Sequence, residues 1–438
     1  MLPLRKNYLE MLRRTQWSTP EMMLNYQGRR LEDICRHAYE SVPFYRDRLE
    51  PLFRRGKLDL RAWRETPIFT RVDVETHGDA MRALVVPLKA ARESEGRTSG
   101  TTGPSLHFVQ SEAAILISQC HYERTLEAHQ IDRTGHLAHI RLEPPGTADY
   151  PEGREDIGWN LDRPSARISM LSIQESIAEQ AEWLARRKPT YLTTYPSTAG
   201  ALARHVETSG ASLRFAGVLT VGESVDAATR EDVKRVFGCN IIDNYGATEI
   251  GYIAFQCPVG DGYHVCSEFA LVELLDKDGN DAAEGQPGRV VLTPFYNFAM
   301  PFIRYEIGDF AIAANGPCPC GRTLPRLARI LGRQRNIFTF PDGSQYSPWR
   351  WRIPFMPHLQ AKQIQLVQTA LDYIEIRYVP QHGAESPDAA AIEQIGRSFI
   401  HPMVLCRAVP VTEIPRLPSG KIEDCVSLVT PPARHSGP

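Results

Sequence analysis

The sequence predicts an α/β protein with a large amino-terminal domain and a small α+β carboxyl-terminal domain. Three observations predict it. Strand and helix patterns alternate with short connections from residue 170 to 243, which is the signature of parallel strands covered by helices. Helical periodicity then stops near residue 263, where strand patterns separated by Gly/Asp/Asn turns predict a small antiparallel part. A self-contained α+β pattern fills the residues after Gly332-Arg333, where the domain boundary is placed, giving domains 1–333 and 334–438.

Taken in order, residues up to about 85 read as helical. Ser18-Thr19-Pro20-Glu21 resembles a helix start with proline in first position, and a second helix is expected over 28–40. Residues 172–188 form an amphipathic helix pattern with Ile173, Ile177, Ala181 and Leu184 on one stripe. A strand over 191–195, a helix opening at Pro196-Ser197 and an apolar strand over 217–221 follow. Asp226 is a cap for the next helix, Gly238 its end, and a strand begins at 240–243. Strands are expected over 263–276, 288–294 and 302–313, and a hairpin over 338–346 turns at Asp342-Gly343. Strands over 364–367, 373–379 and 404–414 with a helix over 388–399 complete the chain.

Composition narrows the function classes. Apolar residues make up 42% and charged residues 23%, which excludes global disorder. Fifty Lys+Arg against 52 Asp+Glu give a net charge of −2, against a nucleic-acid binder with a broad basic field and against a polybasic membrane binder. No run approaches the roughly 20 apolar residues of a bilayer span, and charges interrupt the amino terminus where a signal peptide would be apolar. A cytoplasmic location is therefore expected, with the nine cysteines reduced, buried or metal-bound.

Four stretches carry candidate chemistry. In Arg97-Thr98-Ser99-Gly100-Thr101-Thr102-Gly103-Pro104, small hydroxyl residues alternate with glycines, so N–H groups and hydroxyls can converge on phosphate oxygens. A polar surface loop is the alternative reading, and no Gly-Lys-Ser/Thr follows to make it a Walker loop. In Asn244-Tyr245-Gly246-Ala247-Thr248-Glu249 the tyrosine can stack on a base, and a glutamate at a strand's carboxyl end can hold Mg²⁺ beside phosphates; a turn with a solvated acid is the alternative. Arg304-Tyr305-Glu306-Ile307-Gly308-Asp309 offers an aspartate to both hydroxyls of a ribose. Gly332-Arg333 and Pro418-Ser419-Gly420-Lys421 taken singly are ordinary turn chemistry.

In order and spacing these motifs resemble the adenylate-forming superfamily of acyl-CoA ligases, firefly luciferase and peptide-synthetase adenylation domains. Thr98–Gly103 is similar to its phosphate loop, Gly222-Glu223-Ser224 to its adenine-side segment, and Tyr245–Glu249 to its Tyr-Gly-x-Thr-Glu motif. Asp309 matches the ribose-binding aspartate, Arg333 the hinge arginine and Lys421 the mobile catalytic lysine. Ser41-Val-Pro-Phe-Tyr-Arg46 and Tyr195-Pro196-Ser197 resemble the phenylacetate–CoA ligase branch, including its CapK type. The resemblance implies a large adenylating domain and a small mobile lid. It implies formation of an acyl-adenylate from ATP and a small acid, aryl by default, with Mg²⁺ on Glu249, Thr248 beside it and Lys421 as the catalytic cation. Transfer to coenzyme A would follow. The acid pocket would form around Tyr195, Pro196, Ser197, Gly222–Ser224 and Ala247, and a homodimer is among the assemblies allowed. The 338–346 hairpin and Trp349-Arg350-Trp351 depart from the pattern and keep open an alternative acceptor: an amine, hydroxyl or carrier protein, or nitrite activation toward an amine.

Cys257, His264, Cys318 and Cys320 stand out as a ligand set for tetrahedral Zn²⁺, three thiolates and an imidazole, against the alternative of reduced, inert thiols. Some members of the resembled branch carry a structural zinc at a matching position. With four protein ligands the metal would staple antiparallel segments, and Cys266 is the substitute ligand.

Overall fold

The computed structural model describes residues 2–54, 57–87, 93–97, 106–333, 337–346, 352–381, 383–417 and 420–429. The phosphate-loop residues Thr98, Ser99, Gly100, Thr101, Thr102 and Gly103, the 334–336 hinge and Trp349-Arg350-Trp351 lie outside them. The chain divides into two compact units, one of Met1–Thr134, Gly158–Pro164 and Asp243–Ile330, the other of Gly135–Ile157, Ser165–Ile242 and Leu331–Pro438. No helix is long and apolar enough to cross a membrane among the described residues.

In the first unit, Thr19 accepts the Met22 N–H and Pro20 opens a helix, as the sequence predicts. That helix runs unbroken over Pro20–Ser41, so no second helix begins at residue 28. Its buried stripe of Met23, Gln27, Leu31, Ile34 and Ala38 runs on past Gly28 without a break, and the packing outweighs glycine's modest helix cost. The antiparallel part is Ala270–Leu275, Gly288–Pro294 and Tyr305–Ala314 paired in sequence, with Gly251–Gln256 and Tyr263–Val265 likewise antiparallel. The strand expected over 263–276 is two strands. The chain turns between Cys266 and Phe269, where the Phe269 N–H donates to the Cys266 carbonyl at 2.8 Å, and Glu268 in that turn is buried on Arg124. Arg326–Arg333 is a further strand, unpredicted, that pairs with Tyr263 and His264.

The second unit holds the predicted strands over 191–195 and 217–221 beside two unpredicted ones, Leu137–Arg141 and Arg167–Ser172. Gly217–Val221, Tyr191–Thr194, Leu137–Arg141 and Arg167–Ser172 lie side by side in that order, all parallel. Helices Ile177–Arg187, Pro196–Ser209 and Ala227–Phe237 bury Trp183, Leu184, Leu202 and Val233 in one core with strand residues Ile140, Leu192 and Val218. The helix expected from residue 172 begins later. Ser172 ends a strand, and a Ser176–Glu179 capping box starts Ile177–Arg187. Ile173 is buried in the same core, so the apolar stripe continues across the strand–helix junction and imitates an extra helical turn. Asp226 and Gly238 cap Ala227–Phe237 at the expected ends. From residue 337 the chain builds its own core on the sheet Leu405–Pro410, Tyr373–Pro380, Ala361–Ala370 and Cys425–Ser427. The expected hairpin is present, with Phe338 paired to Tyr346. The 388–399 helix is shorter, Ala389–Ile395 capped by Asp388, before a π-turn over Gly396–Ile400.

Candidate active site

Lys421 comes together with Tyr195, Pro196, Ser197 and Gly222–Ser224 in the second unit, while Ala247, also expected around the acid, lies in the first. Tyr191–Thr194 and Gly217–Val221 are adjacent parallel strands, and the segments 195–197 and 222–224 follow their carboxyl ends, where such sheets bind ligands. Pro196 opens the helix Pro196–Ser209 at no hydrogen-bond cost, but Tyr195 in the cap position has no side-chain cap bond. Glu223 supplies it from the neighbouring loop. Its carboxylate accepts the Ser197 N–H at 3.0 Å and the Ser197 hydroxyl at 3.1 Å. The same carboxylate accepts the Ile422 N–H at 2.9 Å, one residue past Lys421. Burial pushes the Glu223 carboxyl up, opposed by the Ser197 and Ile422 bonds and by Lys421.

Gly222 makes room for the lysine. Its φ is +91°, and a Cβ there would stand 3.0 Å from Lys421 Nζ and 3.1 Å from Cε. The ammonium nitrogen is 5.8 Å from the centre of the Tyr195 ring, and the Arg141 guanidinium carbon lies 4.0 Å from the same ring. Arg416 donates to the Gly420 carbonyl at 2.8 Å, and burial pushes its guanidinium down. A compact cation on a long stem, beside a side-chain-free glycine at a strand end, suits a carboxylate meeting a phosphate.

Of the other predicted residues, Asn244–Glu249 and Asp309 lie in the first unit and Arg333 in the second. Asn244, Tyr245, Gly246 and Ala247 end the strand Ile241–Ala247, which carries a bulge between Tyr245 and Gly246. The Tyr245 hydroxyl donates to Asp309 at 2.9 Å, so the aromatic residue and the expected ribose acid act as one pair. The Tyr305 hydroxyl donates to Glu249 Oε1 at 3.2 Å, and Gln110 donates to the Glu249 carbonyl at 3.1 Å. Tyr305 and Asp309 sit on one strand, Tyr305–Ala314, whose pairing with Gly288–Pro294 shifts register between them, where Gly308 has a φ of +85°. Gly246 admits no side chain, since a Cβ would fall 2.6 Å from the Gly251 carbonyl oxygen. Thr248 is exposed beside the buried Glu249. Asn244 is buried, and its amide oxygen accepts the Thr125 hydroxyl at 2.9 Å. Arg333 ends the strand Arg326–Arg333.

The AMP-binding enzyme family model matches residues 166–294, the stretch that carries the Tyr195, Gly222 and Tyr245 motifs. Relatives include a phenylacetate–coenzyme A ligase of Thermus thermophilus, 27% identical over 72% of this chain and 71% of its own length. The CapK protein of Staphylococcus aureus is 19% identical over 76% of this chain and 72% of its own. Residues 166–294 thus carry a domain similar to AMP-binding enzymes. Its fold is shared with a crystal structure of 2-hydroxyisobutyryl-CoA ligase in the postadenylation state, at a TM-score of 0.73 and 20% identity, covering 95% of this chain and 91% of that one.

The first unit also brings the predicted metal ligands together. One ligand atom each from Cys257, His264, Cys318 and Cys320 lies within 4.8 Å of every other. The Cys257 and Cys318 sulfurs are 3.5 Å apart, and Cys320 sulfur is 3.2 Å from His264 Nε2. Ligands about 2.0–2.3 Å from a tetrahedral zinc stand about 3.3–3.8 Å from one another, so the donor set fits that ion in type and spacing. Burial and nearby arginines hold the His264 imidazole neutral, pushed down to about 4, the state a metal requires. Cys266 is not part of this group. It is buried against Arg124, and its thiol is pushed up to about 11.

Three residues at these sites escaped the sequence reading. Tyr305 was detectable from its place in the Arg304–Asp309 motif, four residues before Asp309 on a strand pattern. Arg416 lies only five residues before Lys421, but nothing local marks which carbonyl it serves. Arg141 meets Tyr195 only through the pairing of parallel strands and has no local signal.

Proposed function

We propose that this protein is an ATP-dependent ligase that activates a small carboxylic acid, aryl by resemblance, as its adenylate and passes the acyl group to coenzyme A. The observation that carries the reading is Lys421 seated against Gly222 and Tyr195, three motif residues far apart in sequence brought to one place within one unit. The curated relatives named phenylacetate–coenzyme A ligase favour the same chemistry.

In the first step a carboxylate oxygen attacks the α-phosphorus of ATP. A C–O–P bond forms, the bond to the bridging oxygen breaks, and pyrophosphate leaves. Two anions must meet, so the step needs cations and N–H donors preorganised for the charge. Lys421 supplies the point charge between carboxylate and α-phosphate. Asp309, oriented by the Tyr245 hydroxyl, accepts the ribose hydroxyls, and Thr98–Gly103 hold the outer phosphates. Gly222, Glu223 and Ser224 flank the adenine and the acid, and Thr248 borders the phosphates. Glu249, held by Tyr305, would hold Mg²⁺, which would neutralise phosphate charge. In the second step the thiol of coenzyme A, giving up its proton, attacks the acyl carbon and AMP leaves. Residues 334–438 act as a lid turning about Arg333, so that Lys421 withdraws while the thiol enters. Zn²⁺ at Cys257, His264, Cys318 and Cys320 is structural, because protein atoms fill all four positions.

The test is product analysis by mass spectrometry, with ATP, Mg²⁺, a panel of aryl and short acyl acids, and either coenzyme A or an amine panel as acceptor. Acyl-CoA with one AMP per thioester is the expected outcome. AMP release that ignores coenzyme A and responds to an amine would transfer the second half of the reading to another acceptor.

A further inference from the structure

Glu223 does more in this structure than line a nucleotide. One carboxylate closes the amino-terminal turn of Pro196–Ser209 through Ser197 and also takes the Ile422 N–H, 199 residues away in sequence. Around that bond the lysine segment is held on every described side. Leu417 N–H donates to the Lys421 carbonyl and Gly420 N–H to the Leu417 carbonyl, each at 2.8 Å, which makes a tight turn. Arg416 grips the Gly420 carbonyl and reaches the Thr198 hydroxyl at 3.4 Å, in the same helical turn that Glu223 caps. Gly420 itself has φ +79°, and a Cβ there would fall 2.6 Å from Ile173. The turn, the cap and the cavity at Gly222 thus converge on the place of one ammonium group.

We infer that Glu223 is a positioning residue, a latch that holds the Lys421 turn at the adenylation site by accepting the Ile422 N–H. The inference rests on the adenylation reading for its kinetic consequence and on geometry alone for the latch. A backbone N–H bonded to an ionised carboxylate is a charge-assisted bond, stronger than a neutral one. It involves no substrate atom, so it sets where the lysine waits and leaves its chemistry unchanged. A lysine needed for pyrophosphate release and absent from thioester formation should make the two half-reactions respond differently when the latch is cut.

The test combines amide hydrogen exchange over residues 420–429 with the two half-reactions, in Glu223→Ala and Glu223→Asp proteins. Exchange at the Ile422 amide is expected to quicken by about tenfold or more in the alanine variant, the order lost with a hydrogen bond to a charged group. Phenylacetate-dependent ATP–pyrophosphate exchange should fall about 10- to 100-fold, and more steeply than thioester formation from synthetic phenylacetyl-adenylate and coenzyme A. Glu223→Asp keeps the charge at the helix start but is one methylene short, so it tests the latch should the alanine protein not fold. It too is expected to release Ile422. An unchanged Ile422 amide, or an equal fall in both half-reactions, overturns the latch. A wild-type protein that exchanges pyrophosphate with no acid overturns the adenylation reading instead, and the Ile422 amide still decides the latch.

Discussion

Gly222 and Glu223 are neighbours with opposite duties, one leaving space and the other filling it. For Gly222→Ala, the positive φ and the contact at 3.0 Å from Lys421 Nζ predict a displaced ammonium. Adenylation should drop by about tenfold or more, and a backbone strain of order 1–3 kcal/mol should lower Tm by a few degrees. Initial rates of pyrophosphate exchange beside a thermal melt check this. The glycine was legible as part of a motif, since backbone freedom is written into the residue type. What Glu223 binds was not, because its partners are a helix start and a backbone N–H 199 residues on. Asp309 shows the intermediate case. Its candidacy was visible, and its Tyr245 partner was visible separately, but the bond between them depends on strand packing that no local pattern records.

Among the elements, those with chemical punctuation were the ones read correctly. Pro196, Asp226 and Gly238 mark helix ends by removing a donor, accepting an N–H and adopting a left-handed turn. Asp226→Ala should cost about 1 kcal/mol in urea unfolding, since its carboxylate accepts the Thr229 N–H at 2.7 Å. Elements were misread where packing overrode punctuation, as at Gly28 inside Pro20–Ser41 and at Ile173 before Ile177–Arg187. The metal staple belongs to this scale, because His264 lies on the strand Tyr263–Val265 and its thiolate partners lie in loops. Purified protein should carry about one equivalent of zinc, and Cys318→Ser should release it and lower Tm by several degrees. Elemental analysis with a melt checks both, and metal-free protein with an unchanged Tm counts against the staple.

Over the whole molecule, buried charge in each unit links stability to solution conditions. Arg124 and Glu268, with side chains 2% and 0% exposed, are bonded at 3.0 Å and joined through His121 to Tyr8. Glu268→Gln leaves Arg124 without its counter-charge and should cost about 3–5 kcal/mol in denaturant unfolding. In the other unit, burial and then Arg141 and Arg154 push His139 down to about 3. Its native pKa lies below the unfolded value near 6.5, so the unfolded chain binds the extra proton. The stability it contributes is therefore full above pH about 6.5 and falls as pH drops toward 3, by about 2 kcal/mol at pH about 5. A His139→Gln protein should show a shallower acid limb in Tm against pH. The α/β class and the motif order were legible in the sequence. The grouping of residues from 331 onward with the parallel-sheet unit was not, because it depends on contacts between distant segments. The measurement that bears most directly on the account is acid-dependent ATP–pyrophosphate exchange in the wild-type and Lys421→Ala proteins. The account predicts exchange with at least one acid, its loss by about 10²-fold or more in Lys421→Ala, and ATP binding retained in both. Exchange that survives the removal of Lys421 would contradict it.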